Sequence, residues 1–120
     1  MKQVLIIDDD QRNTFALSAL LKSYAYKTLT ANNMVEAFAL LMKEEIGIIL
    51  LDMTMPGMDG YNAIPLLKST KEYNNIPVIA VTAQAMAGDR EKCIEAGADD
   101  YVSKPVDFDM LTKILDEHLK

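Results

Sequence analysis

The chain has 120 residues, half of them hydrophobic, near the commonest domain size, so one domain over 1–120 with a real core is expected. Its formal charge is −6, with acids and bases mixed and no basic run, which argues against nucleic-acid backbone binding as its main function. The longest uncharged apolar stretch, Ile46 to Leu51, cannot span a membrane, no apolar secretory segment opens the chain, and the single Cys93 allows neither an internal disulfide nor a multi-thiolate metal site, so a cytoplasmic protein without membrane association is expected.

In chain order, a buried strand is expected at Val4–Ile7, ending at Asp8, Asp9 and Asp10. A helix follows with Leu17, Leu20, Leu21 and Tyr24 on one stripe, its start favoured by the negative charge of Asp10 at the dipole. Thr28–Ala31 reads as the second strand, and Asn33 with Glu36 offers a capping-box-like start to a helix that presents Met34, Ala37, Phe38 and Leu41 to a sheet. The third run, Ile46–Leu51, ends at Asp52 and enters a loop where Pro56, Gly57 and Gly60 serve backbone geometry and Asp59 is a turn or cap residue. Val78–Val81 leads to Thr82, and a helix carrying Cys93, expected to be a small half-buried residue there, ends at Gly97. Tyr101–Val102 leads to Lys104, and Asp107 caps a last helix with Leu111, Ile114 and Leu115 inward. Five strands alternating with helices need crossover connections, so the sheet is expected to be parallel, with right-handed crossovers and both faces covered.

The chemistry gathers where the apolar runs stop. In an open parallel sheet the residues beyond the strands' carboxyl ends line one crevice, which brings Asp8, Asp9 and Asp52 together with Thr82 and Lys104. Carboxylates crowded in this way share protons or hold a hard cation such as Mg²⁺. The cation and a lysine would neutralise a phosphoryl group, a hydroxyl would donate to it, and the remaining carboxylate could attack, giving an acyl phosphate.

The motifs LIIDDD, LLDMTMPGMDG, VTA and YVSKP stand in the order and spacing of the receiver domains of two-component response regulators, and the resemblance covers essentially the whole chain. It implies the doubly wound flavodoxin-like fold, five parallel strands in order 2-1-3-4-5 with five helices. By the same resemblance Asp52 is the phosphoacceptor, Asp8 and Asp9 are the acid pair for Mg²⁺ or Mn²⁺ with Asp9 the direct ligand, and Met53 adds its backbone carbonyl, its side chain mattering little. Thr82 and Lys104 contact the phosphoryl group, a cis bond before Pro105 aims Lys104 inward, and Thr82 with Tyr101 forms the switch pair. Thr54 and Gln84 stand where such proteins tune the lifetime of the acyl phosphate.

The function implied is a phosphorylation-activated switch of a phosphorelay, taking its phosphoryl group from a histidine kinase or histidine phosphotransfer protein. It is not an enzyme toward outside substrates, but catalyses its own phosphorylation and dephosphorylation. The donor is expected near the first helix, where Phe15, Ala16 and Ala19 form a small apolar patch. The chain stops after the fifth helix, so output is expected through an unidentified binding partner, from a stand-alone regulator or a domain of a larger protein such as a hybrid sensor kinase. An aspartyl-phosphate phosphatase would carry a second aspartate where Thr54 stands, a flavin carrier would need a phosphate loop after the first strand, and a docking-only module would not need the intact acid set. His118, near the chain's end, is expected to be solvated rather than phosphorylated, and the eight methionines to fill gaps in the packing.

Overall fold

The structure, a computed structural model, describes residues 3–55, 57–83 and 88–119. Strands β1 (Gln3–Ile7), β2 (Thr28–Ala31), β3 (Ile46–Asp52), β4 (Val78–Thr82) and β5 (Asp100–Ser103) alternate with helices α1 (Gln11–Ser23), α2 (Met34–Lys43), α3 (Gly60–Ser69), α4 (Asp89–Ala96) and α5 (Phe108–Leu119). They form one sheet of order β2-β1-β3-β4-β5 with every neighbouring pair parallel. This is the expected doubly wound flavodoxin-like arrangement, with each strand run within two residues of its expected bounds.

The two-residue period of a strand explains why the sheet needs helices on both faces. Leu5, Ile7, Ile49, Leu51 and Ala80 point to one side, where Met34, Ala37 and Leu41 of α2, Ala63, Ile64 and Leu67 of α3 and Cys93 of α4 cover them. Val4, Ile6, Ile48, Leu50, Ile79, Val81 and Val102 point to the other, under Leu17 and Leu21 of α1 and Leu111, Ile114 and Leu115 of α5. All seven residues of β3 are buried, as a central strand requires. Burying one Leu or Ile in such a layer contributes roughly 1.5–3 kcal/mol, so the two layers hold the strand ends in fixed register.

The helix starts are set by side chains that accept the free N–H groups of the first turn. Asp10 caps α1 by accepting from the Arg12 N–H, Asn33 caps α2 through the Glu36 N–H, and Asp59 caps α3 through the Asn62 N–H. Glu36 reaches back to the Asn32 N–H rather than to that of Asn33, a capping box widened by one residue. Asp107 accepts from the N–H groups of Asp109 and Met110 at the start of α5.

Three expectations are corrected. Tyr24 is exposed, because α1 ends at Ser23 and the chain turns away through Ala25, which adopts a left-handed φ of 69°. Cys93 is fully buried rather than half-buried, since α4 presses that face onto the sheet. His118 is partly buried, and its Nε2 lies 3.6 Å from Asp100 Oδ2, so β5 shields it from full solvation.

Candidate functional site

The carboxyl ends of β1, β3, β4 and β5 lie on the same rim of the sheet. Backbone bonds fix that rim: the Asp8 N–H donates to the Ala31 carbonyl, Met53 N–H to Val81, and Lys104 N–H to Thr82, the last at 2.7 Å. Gly60 keeps the loop after β3 tight, because a Cβ there would lie 2.9 Å from the Met53 Cα and collide with its Sδ.

Asp8 and Asp52 are buried at this rim, at 3 % and 4 % exposure, whereas Asp9 is exposed. One carboxylate oxygen from each of the three lies within 4.8 Å of the others. Asp8 Oδ1 accepts from the Asp10 N–H at 2.9 Å, and its Oδ2 accepts from Asn13 Nδ2 at 3.0 Å and from Lys104 Nζ at 3.2 Å. Asp52 Oδ1 accepts from both the N–H and the hydroxyl of Thr54, each at 3.1 Å, while its Oδ2 lies 3.8 Å from Lys104 Nζ. The one lysine thus spans two carboxylates.

The two buried acids titrate in opposite directions. Burial raises the pKa of Asp8 most, but the Asp10 N–H, Asn13, Asp52 and the Lys104 charge together carry it below the ordinary 3.8. For Asp52 burial is again the largest effect, the Thr54 N–H opposes it, and the neighbouring Asp8 adds its repulsion, so the pKa ends above 3.8. Asp52 is therefore the carboxylate whose charge is less well compensated, and it gains most from added positive charge.

The donor set suits a hard divalent cation. Three carboxylates converge and, among the described residues, Lys104 is the one cation paired with Asp8 and Asp52. All the converging ligands are oxygens, the preference of Mg²⁺ and Mn²⁺. The Met53 carbonyl accepts the Gly60 N–H at 3.3 Å, which uses one of its two lone pairs. The Met53 side chain is 1 % exposed and packs within the core, as expected of a methionine that fills a gap.

Thr82 is buried at the end of β4, with Ser103 opposite it in register. The Lys104–Pro105 bond is cis, as expected. Tyr101 is half-buried on β5 and donates its hydroxyl to Asp89 Oδ2 at 3.2 Å. Thr54 is exposed at the mouth of the site, whereas Gln84 and Pro56 lie outside the described residues. Asp10 serves as a cap, and its backbone N–H holds Asp8. Sequence reasoning missed Asn13, although an amide in the first turn of the helix that follows an acidic strand end can reach back to that end. It also missed Asp89 and Tyr61, which no local spacing links to the site.

Residues 4–116 match the family described as response regulator receiver domain. The sensor histidine kinase RcsC of Escherichia coli is 40 % identical over 93 % of this chain, and the chain spans only 12 % of that protein's length. Protein PilH of Pseudomonas aeruginosa is 35 % identical, over 96 % of this chain and 95 % of its own. Among solved structures, the receiver domain of the sensor histidine kinase PA1611 from Pseudomonas aeruginosa PAO1, with a magnesium ion coordinated in its active-site cleft, superposes with a TM-score of 0.87 at 30 % identity, covering 98 % of this chain and 97 % of that one.

Proposed function

The chain belongs to the response regulator receiver family of two-component signalling, and from that premise we propose that it is a phosphorylation-driven switch whose phosphoacceptor is Asp52. The observation that carries the proposal is the convergence of Asp8, Asp9 and Asp52 within 4.8 Å, with Lys104 reaching two of the three.

In this reading residues 1–120 act as one receiver domain. A Mg²⁺ or Mn²⁺ ion held by Asp8, Asp9, Asp52 and the Met53 carbonyl would supply the positive charge that the phosphoryl oxygens need. The Asp52 carboxylate attacks phosphorus in line, the P–N bond of a donor phosphohistidine breaks with its electron pair passing to the ring nitrogen, and the imidazole, protonated on its other nitrogen, leaves as the neutral base. Lys104 transfers its ammonium from the carboxylates to a phosphoryl oxygen, and the Thr82 hydroxyl donates to another. The Thr54 hydroxyl, exposed beside Asp52, controls how water reaches the acyl phosphate during hydrolysis.

The domain turns over no outside substrate; it catalyses the gain and loss of its own phosphoryl group. The donor is a histidine kinase or histidine phosphotransfer protein. Thr82 and Tyr101 pass the change to a surface of α4, β5 and α5, which signals by binding a partner protein rather than nucleic acid or membrane. No described helix is long and apolar enough to cross a membrane.

Intact-mass measurement after incubation with acetyl phosphate tests this. A single phosphoryl addition is expected in the presence of Mg²⁺, lost in chelator and lost in Asp52→Asn. Equal addition to Asp52→Asn would refute the assignment of the acceptor.

A further inference from the structure

Asp89 is the first residue of α4 and only 6 % exposed, yet the chemistry above does not use it. Tyr61 of α3 donates its hydroxyl to Oδ1 at 3.1 Å, and Tyr101 of β5 donates to Oδ2 at 3.2 Å. Three elements therefore meet on one carboxylate. No cation pairs with Asp89 among the described residues, so neutral hydroxyls and the start of the helix carry its compensation. Burial first, and then their partners, raise the pKa of both phenols: Cys93 ahead of Asp89 for Tyr61, and Asp89 for Tyr101, so both stay protonated donors. Both rings also pack against the same core face.

We propose that Asp89 is a positioning residue that holds Tyr101 in the unphosphorylated state, and that Tyr61 sets the strength of this hold by drawing on the other oxygen of the same carboxylate. The proposal rests on the reading that Tyr101 is part of the switch. A hydrogen bond to a charged acceptor is stronger than one between neutral groups, so Asp89→Asn weakens the hold on Tyr101. A carboxylate that satisfies two donors gives less to each, so Tyr61→Phe strengthens the bond to Tyr101. Whatever stabilises the unphosphorylated state must by linkage oppose binding at the acceptor site, and whatever weakens that state must favour it.

The test is calorimetric titration of the full chain with beryllofluoride, a phosphoryl mimic, in Mg²⁺. Asp89→Asn is expected to bind about threefold to tenfold more tightly than the wild type, the range set by loss of charge assistance to one hydrogen bond. Tyr61→Phe is expected to bind more weakly than the wild type. These opposite signs separate positioning from a general loss of packing, which would move both variants in one direction. Should Asp89→Asn fail to fold, Tyr101→Phe replaces it, with tighter binding expected. Saturable binding by the wild type with both variants unchanged, or shifted in the same direction, overturns this inference alone. Absence of binding by the wild type overturns the proposed acceptor site, and this inference with it.

Discussion

At the scale of single residues, Asp8 and Asp52 show how the same side chain takes two roles from its surroundings. Asp8 receives a backbone N–H, an amide and an ammonium, while Asp52 receives two bonds from Thr54 and faces Asp8. With its folded pKa below 3.8, Asp8 adds stability at pH values above 3.8 and loses it as the pH falls through the folded value. With its folded pKa above 3.8, Asp52 costs stability as the pH rises from 3.8 through that value, and the cost is complete above it. Asp52→Asn is therefore expected to be more stable than the wild type at pH 7 in chelator, read as a higher Tm. The gain should shrink as the pH approaches 3.8. A thermal melt in which Asp52→Asn unfolds below the wild type at neutral pH would contradict this account of the pair. Asp8, Asp9, Asp52, Thr82 and Lys104 were legible because each stands where a β-branched or leucine-rich run stops, and a parallel sheet collects such ends. Asp89 and Tyr61 were not legible, because their meeting depends on how α3 packs beside α4.

At the scale of elements, the acceptor loop depends on the start of α3. Gly60 lies against the backbone and side chain of Met53, the residue after Asp52, so the missing Cβ sets how closely the loop folds onto the helix. Gly60→Ala is expected to destabilise the fold by about 1–3 kcal/mol, read as a lower urea midpoint with an unchanged slope. The same variant should slow phosphoryl addition from acetyl phosphate, because displacement of Met53 displaces Asp52. A wild-type midpoint would show that the contact yields without cost. The amphipathic faces of α2 and α5 were readable from their period, since Met34, Ala37, Leu41, Leu111, Ile114 and Leu115 are all buried. The end of α1 was not readable: Tyr24 continues the apolar stripe in sequence, but the left-handed turn at Ala25 takes it off the helix. The strand order could not follow from periodicity either, because runs buried on both faces carry no label of their neighbours. Resemblance supplied that order, and the register between the strands bears it out.

At the scale of the whole molecule, the parallel sheet puts the acid cluster, Thr82 and Lys104 on one rim, with α1 rising beside it. Phe15 on α1 is 78 % exposed, and with Ala19, Thr14 and Ser18 it lines a cavity of about 460 Å³. An apolar ring left in water next to a reactive rim suits a docking protein donor. Phe15→Asp is expected to slow phosphoryl transfer from a phosphohistidine protein at least tenfold while leaving the reaction with acetyl phosphate unchanged, the size expected of an aromatic anchor. Equal losses with both donors would place the effect in the site itself rather than in docking. The central claim is that Asp52 carries the phosphoryl group, and borohydride reduction followed by peptide mass mapping tests it most directly. Reduction of the chain after treatment with acetyl phosphate and Mg²⁺ should convert residue 52 alone to homoserine, whereas homoserine at another acidic residue, or none in a folded and phosphorylated chain, would contradict the account.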